Sequence, residues 1–347
     1  MEFQLGTETR DKYCAMELVA AAHKAVTEAW PVRPGQNVLI TADSSSDSRV
    51  VEATAGAAMA VGGIPVVVWF AQLPEPMQQP PAPVAAAAAA AEIWFDFAAA
   101  YLLYSPAYHA ALKEGCTYVG VAGMDVDMMV RTIGRTRPAL LREMMRQLYR
   151  MSQEADVIRV AAPGGTDVTL RVDKAGDAFF EDYPEGEAHP DVLLGQSGCG
   201  THRDSYEGVI VYDATLWPPR DIGVLRSPVR VCVEKGLIRE ITGGDEARIL
   251  ERWLASQGHP EAYRMEHFCY GFNPGVTRPT GRIAEDERIF GCVQFGMGAF
   301  EWGSPVHYDG VVLSPSVWLD GVLIEEAGVY VHPELVRLCR EMDVPGY

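Results

Sequence analysis

The most restrictive feature of the sequence is a strand, helix and strand in succession near the N-terminus. NVLITAD (Asn37–Asp43) reads as a buried strand, SRVVEATAGAAMAVG (Ser48–Gly62) as a helix and PVVVWF (Pro65–Phe70) as a second buried strand. Two strands joined through a helical crossover must lie parallel, because a tight turn can only return a chain antiparallel. Ahead of this unit Leu18, Val19, Ala22, Val26 and Trp30 recur at three- and four-residue intervals, the period of an amphipathic helix that Pro31 then ends. Beyond it, EIWFDF (92–97) or the adjacent AYLLYS (100–105) offers a strand, followed by TYVGVA (117–122), with helices predicted over 107–114 and 138–155. Strands alternating with helices predict an α/β N-terminal domain with a parallel sheet, over residues 1–156.

The texture changes after Val157. Short apolar runs such as VIRVAAP, DVTLRVD, GVIVYDA, GVVLSP and GVLIEEAGVYV are separated by Gly, Asp and Pro, and one helix, DEARILERWLAS, interrupts them. Strands this short with frequent turns predict an antiparallel-rich, β-rich α+β C-terminal domain over residues 157–347.

Composition narrows the function classes. Lys and Arg total 29 against 47 Asp and Glu, a net charge of −18 with no basic block, which argues against a nucleic-acid partner. No run of 18 apolar residues escapes interruption and residues 1–30 lack a signal-peptide pattern, so no membrane partner and a cytoplasmic location are expected. The seven cysteines are odd in number and never form C-x-x-C, which suits reduced thiols. The loop ADSSSDS after the first strand lacks the glycines of a phosphate cradle.

Histidine carries the stronger signal. Three of the eight lie in H-x-D patterns: His189 with Asp191, His202 with Asp204, and His307 with Asp309. On a strand, residues i and i+2 share a face, so one element can offer an imidazole and a carboxylate to one metal. His189 reads as an exposed turn beside Pro190, and His202 as a loop residue able to line a site. His307 and Asp309 run straight into GVVL and are expected on a strand. The partner is sought at His267, in RMEHFCYGFNPG, and the glycine- and aromatic-rich GCVQFGMGAFEWGSP follows it. His267, His307 and Asp309 are therefore the expected metal ligands, two histidines and one carboxylate that leave open positions for ligands. Tyr270, Asn273, Phe295 and Trp302 are expected to contact substrate.

HFCYGFNPG and SPVHYDG, preceded by VEKGLIREITGG and, in the first domain, LLYSP (Leu102–Pro106), resemble the 2,5-dihydroxypyridine 5,6-dioxygenases and, more distantly, the aminopeptidase T metallopeptidases. The resemblance to the dioxygenases implies an Fe(II)-dependent, extradiol-like ring-cleaving enzyme that takes a small aromatic N-heterocycle and O2 and forms N-formylmaleamate from 2,5-dihydroxypyridine. Assembly into a homo-oligomer is left open. Tyr104 stands where those enzymes carry a histidine, and with His202 it is a candidate for proton transfer. The resemblance to the peptidases implies a pair of divalent metals held by two glutamates and an H-x-D. Here Cys199 stands at the first glutamate position and His267 at the second, with Glu266 adjacent, so the peptidase alternative would use Glu266, His307 and Asp309.

Overall fold

The computed structural model describes residues 12–175, 189–300 and 303–347. In chain order its elements begin with α1 (Ala15–Lys24), β1 (Asn37–Asp43), α2 (Ser48–Ala60), β2 (Ile64–Phe70), α3 (Ala82–Ala89), β3 (Ile93–Asp96), α4 (Pro106–Lys113), β4 (Thr117–Gly120), α5 (Val126–Met129) and α6 (Pro138–Glu154). Then come β5 (Val157–Ala161), β6 (Asp167–Arg171), β7 (Pro190–Val192), β8 (Gln196–Cys199), β9 (Glu207–Tyr212), β10 (Thr215–Trp217), β11 (Gly223–Val224), β12 (Val229–Glu234) and β13 (Leu237–Gly243). The chain closes with α7 (Asp245–Gln257), β14 (Met265–Gly271), α8 (Ile283–Asp286), β15 (Cys292–Met297), β16 (Tyr308–Leu313), β17 (Ser316–Leu319), β18 (Val322–Glu326), β19 (Val329–Tyr330) and α9 (Pro333–Glu341). It divides into two compact units, Met1–Ala139 with Asp182–Leu194, and Leu140–Glu181 with Gly195–Tyr347.

The first unit is built on a parallel sheet of order β2-β1-β3-β4-β7. β1 is buried at every position but Asn37, as a strand flanked on both sides requires. β2 is different. PVVVWF was expected to be a buried strand, yet among the described residues β2 pairs with β1 alone and leaves Val66 53% and Trp69 46% exposed. An apolar run reports hydrophobicity without reporting how many neighbours the strand will have. Of the two alternatives for the third strand, the chain uses Ile93–Asp96, and residues 97–105 form the loop after it. Asp96 organises that loop: it accepts the backbone N–H groups of Ala98 and Leu102 and the hydroxyls of Thr41 and Tyr118. Burial pushes its pKa up to about 6 even though these four bonds favour the charged form.

Two further differences concern the edge and limits of this unit. Pro190–Val192 pairs with β4, and the His189 carbonyl accepts the Tyr118 N–H, so His189 leads into a sheet strand and is half-buried; an exposed turn was expected. A segment distant in sequence thus completes the parallel sheet, and most of α6 belongs to the second unit, whereas a single boundary at 156/157 was expected. Contiguous chain reading cannot detect a strand that returns.

The second unit holds a six-stranded sheet, β11-β10-β16-β15-β14-β8, and an eight-stranded sheet, β13-β12-β9-β6-β5-β17-β18-β19. The strand pairs of both sheets are antiparallel, as the short apolar runs with frequent turns predict. α6 is tied to the smaller sheet: Ser197 Oγ donates to the Met145 carbonyl, and Ser152 Oγ lies 3.0 Å from the Tyr270 hydroxyl. No helix among the described residues is long and apolar enough to cross a membrane.

Candidate metal centre

The centre of interest lies on β14, β15 and β16. Across these strands His267 pairs with Gly296, and Gly296 with Asp309, which puts all three in one cross-strand row on one face. Gly296 is where the row closes up. A β-carbon there would lie 2.2 Å from His267 Cε1, so only a residue without a side chain lets the imidazole lie over β15. His307 precedes β16 and shares the Asp309 face, as the H-x-D spacing predicts.

Glu266 reaches the same site by an irregularity. Successive strand residues normally point to opposite faces, but the register of β14 against β15 shifts between Met265 and His267, leaving Glu266 as the extra residue of a bulge. Its carboxylate bonds to His267 Nδ1 and lies 3.8 Å from His307 Nδ1. One ligand atom each from Glu266, His267 and His307 lies within 4.8 Å of the others. Asp309 approaches the rings from their other nitrogens, with Oδ1 3.4 Å from His267 Nε2 and Oδ2 3.1 Å from His307 Nε2.

The two imidazoles therefore have two sides. On the Nδ1 side, His307 donates to the Gly298 carbonyl at 2.8 Å and His267 to Glu266, which leaves the Nε2 atom of each ring turned toward Asp309. Asp309 faces the Nε2 side, and its Oδ1 is buried with no hydrogen-bond partner among the described residues. Gln294, two residues before Gly296 and on its face, brings its amide nitrogen to 2.9 Å from His267 Nε2.

Electrostatics keep the carboxylates charged. Burial favours the neutral acid at both, but His267 and His307 outweigh it and hold Glu266 and Asp309 below their ordinary pKa values. Burial likewise disfavours imidazolium, yet Asp309 and Glu266 outweigh it at His307, whose pKa is pushed up to about 10. Behind the row lies a buried pair, Glu287 with Arg288. Burial first, and then the charge of Asp309, pushes Glu287 up to about 7. These two residues and Gln294 have no signal in the sequence, where DER reads as a solvated loop and a lone Gln as nothing in particular.

The other expected site residues sit in surroundings of their own. Tyr270 and Phe295 occupy the opposite face, Tyr270 edge-on to Phe268 with its hydroxyl on Ser152, and Phe295 against Phe268 and Tyr206. Both are fully buried core residues, so strand alternation takes them off the site wall. Asn273 is also buried and shapes the turn, its Oδ1 accepting the Gly275 N–H. His202 is exposed, with Nδ1 3.7 Å from Asp173. Tyr104 belongs to the first unit, where it takes a left-handed backbone (φ 62°) and packs edge-on to Tyr108. Trp302 lies outside the described residues. Cys199, at the position where the peptidase pattern has a glutamate, is a buried thiol pushed up to about 12 by burial.

A family model described as NicX, 2,5-dihydroxypyridine 5,6-dioxygenase, matches residues 18–332. A 2,5-dihydroxypyridine 5,6-dioxygenase of Pseudomonas putida KT2440 is 28% identical over 151 residues, covering 39% of this chain and 43% of that protein, less than half its length. Among solved structures, 2,5-dihydroxypyridine dioxygenase from Pseudomonas putida KT2440 superposes with a TM-score of 0.76 at 20% identity, covering 92% of this chain and 99% of that one. Wild-type AmpT from Thermus thermophilus superposes with a TM-score of 0.65 at 16% identity, covering 92% of this chain and 100% of that one. At such identities the superpositions establish a shared fold.

Proposed function

The chain belongs to the 2,5-dihydroxypyridine 5,6-dioxygenase family, and from that membership we propose that it is a mononuclear non-haem Fe(II) dioxygenase that opens the ring of a hydroxylated N-heteroaromatic. 2,5-Dihydroxypyridine is the leading substrate and N-formylmaleamate its product. One observation carries the reading: two Nε2 atoms and one carboxylate, with separations of 3.1 and 3.4 Å to that carboxylate, converge from His267, His307 and Asp309.

Those residues fit the metal. Ligand atoms on adjacent vertices of an octahedron of about 2.1 Å radius stand about 3 Å apart. The Asp309 Oδ1, buried without a hydrogen-bond partner among the described residues, is also what a carboxylate looks like when its partner is a cation. Bound there, Fe(II) would supply a route for charge from an electron-rich ring to O2. The protein's own part is positional. Gly298 and Glu266 hold the imidazoles by their Nδ1 atoms, and Gly296, with no side chain of its own, lets the His267 ring lie over β15 in one row with Asp309.

Anaerobic reconstitution with Fe(II), followed by oxygen-electrode assays with 2,5-dihydroxypyridine and its carboxylated analogues, tests the proposal. Stoichiometric O2 uptake with loss of the ring absorbance is expected. The alternative is an aminopeptidase T-type metallopeptidase, favoured by the presence of the Glu266 carboxylate in the cluster. Hydrolysis of a leucyl amide without O2 uptake would establish that alternative in its place.

A further inference from the structure

Gln294 carries chemistry that the metal ligands do not account for. It is 1% exposed, lies on the site face of β15, and donates its amide N–H toward His267 Nε2 at 2.9 Å, while its Oε1 is buried with no hydrogen-bond partner among the described residues. A buried amide oxygen left unpaired is costly, and native structures rarely keep one without use. The cost grows once a metal is bound. His267 Nε2 is the lone pair aimed at Asp309, so a metal that takes it removes the acceptor from the Gln294 N–H as well. Both ends of the carboxamide then await a ligand.

A carboxamide offers a donor and an acceptor side by side. Its complement is a cis-lactam edge, H–N–C=O, which returns an acceptor and a donor at the same spacing and closes two hydrogen bonds at once. The 2-pyridone tautomer of a 2-hydroxypyridine has that edge, whereas a benzene-1,4-diol has a hydroxyl beside a C–H. Building on the dioxygenase reading, we propose that Gln294 recognises the lactam edge of the ring and so sets the preference of this site for N-heterocycles over carbocyclic diols. Discrimination of this kind comes from the two hydrogen bonds that only the lactam edge closes, because a ligand without that edge gains neither.

The test uses the Fe(II)-loaded enzyme without oxygen, so that binding is read with no turnover. Dissociation constants for 2,5-dihydroxypyridine and for benzene-1,4-diol are measured by calorimetry in the wild type, Gln294→Leu and Gln294→Glu, with iron content determined in each. Gln294→Leu should weaken the pyridine about 10- to 100-fold, the effect of two lost hydrogen bonds, and change the diol by less than about 2-fold. Gln294→Glu, which keeps the shape and one acceptor, should fall between. An unchanged preference in both variants, equal losses for both ligands, or loss of iron from both variants would overturn the assignment, the last two marking Gln294 as a prop for His267. If iron-loaded wild type binds neither ring, the dioxygenase reading falls and takes this inference with it. Binding of both rings with an unaltered preference in the variants overturns the inference alone.

Discussion

At Gly296 the missing side chain admits the His267 imidazole, and a methyl there would meet three ring atoms at 2.2–2.8 Å. Gly296→Ala should therefore displace the ring from Asp309 and strip the site of iron, at an overpacking cost of about 1–3 kcal/mol; metal analysis beside a melting curve separates the two effects. The ligands themselves should behave as a set. His267→Ala, His307→Ala and Asp309→Ala are each expected to abolish iron retention in a folded protein, and wild-type iron in any one would remove that residue from the set. Glu266 should differ in degree. Because it bonds His267 at Nδ1, Glu266→Gln is expected to keep iron but bind it about 10- to 100-fold more weakly, as read by chelator competition. A loss as complete as that of the other three would make Glu266 a ligand. The H-x-D spacing brings His307 and Asp309 to one face because a period of two is a local property. The sequence says nothing of Gln294, whose place at the site depends on which strand lies next to which.

Among the elements, β14 and β2 show where pattern stops informing. The bulge in β14 turns Glu266 and His267 to one site. This explains why the sequence placed a glutamate and a histidine one residue apart as competing alternatives, when both take part in the cluster. β1 and β2 read alike as apolar runs, but β1 is flanked on both sides and β2 on one. Ile40→Ala in β1 should cost about 2–5 kcal/mol in denaturant unfolding, since it empties a fully buried position. Val66→Thr on β2 should change stability by less than about 0.5 kcal/mol, because its site is already half in water. Similar costs at the two positions would mean that β2 is covered in solution.

For the molecule as a whole, buried acids set the response to pH. Glu325 is fully buried with neither oxygen hydrogen-bonded among the described residues, and burial raises its pKa well above the ordinary value. The folded state therefore keeps a proton that the unfolded state has released. Its contribution is whole below about pH 4.5 and is lost as pH rises toward the folded pKa, at about 1.4 kcal/mol per pH unit. Glu325→Leu should thus melt higher than wild type, with an advantage that widens from pH 5 to pH 8; a constant difference would show that Glu325 is not the group responsible. Asp96 shifts in the same direction but is fully hydrogen-bonded, so Asp96→Ala should destabilise by stranding the donors that fold the 97–105 loop. The sequence by itself determined the parallel first sheet, the antiparallel second part and the H-x-D pair, because crossover length, strand period and two-residue spacing are all set by neighbours along the chain. Only the tertiary structure decided that residues 190–192 join the first sheet, that a bulge puts Glu266 behind His267, and that Gln294 faces the ligand side while Tyr270 and Phe295 face the core. Those outcomes depend on strand order and register, which arise when distant segments compete to bury the same apolar surface.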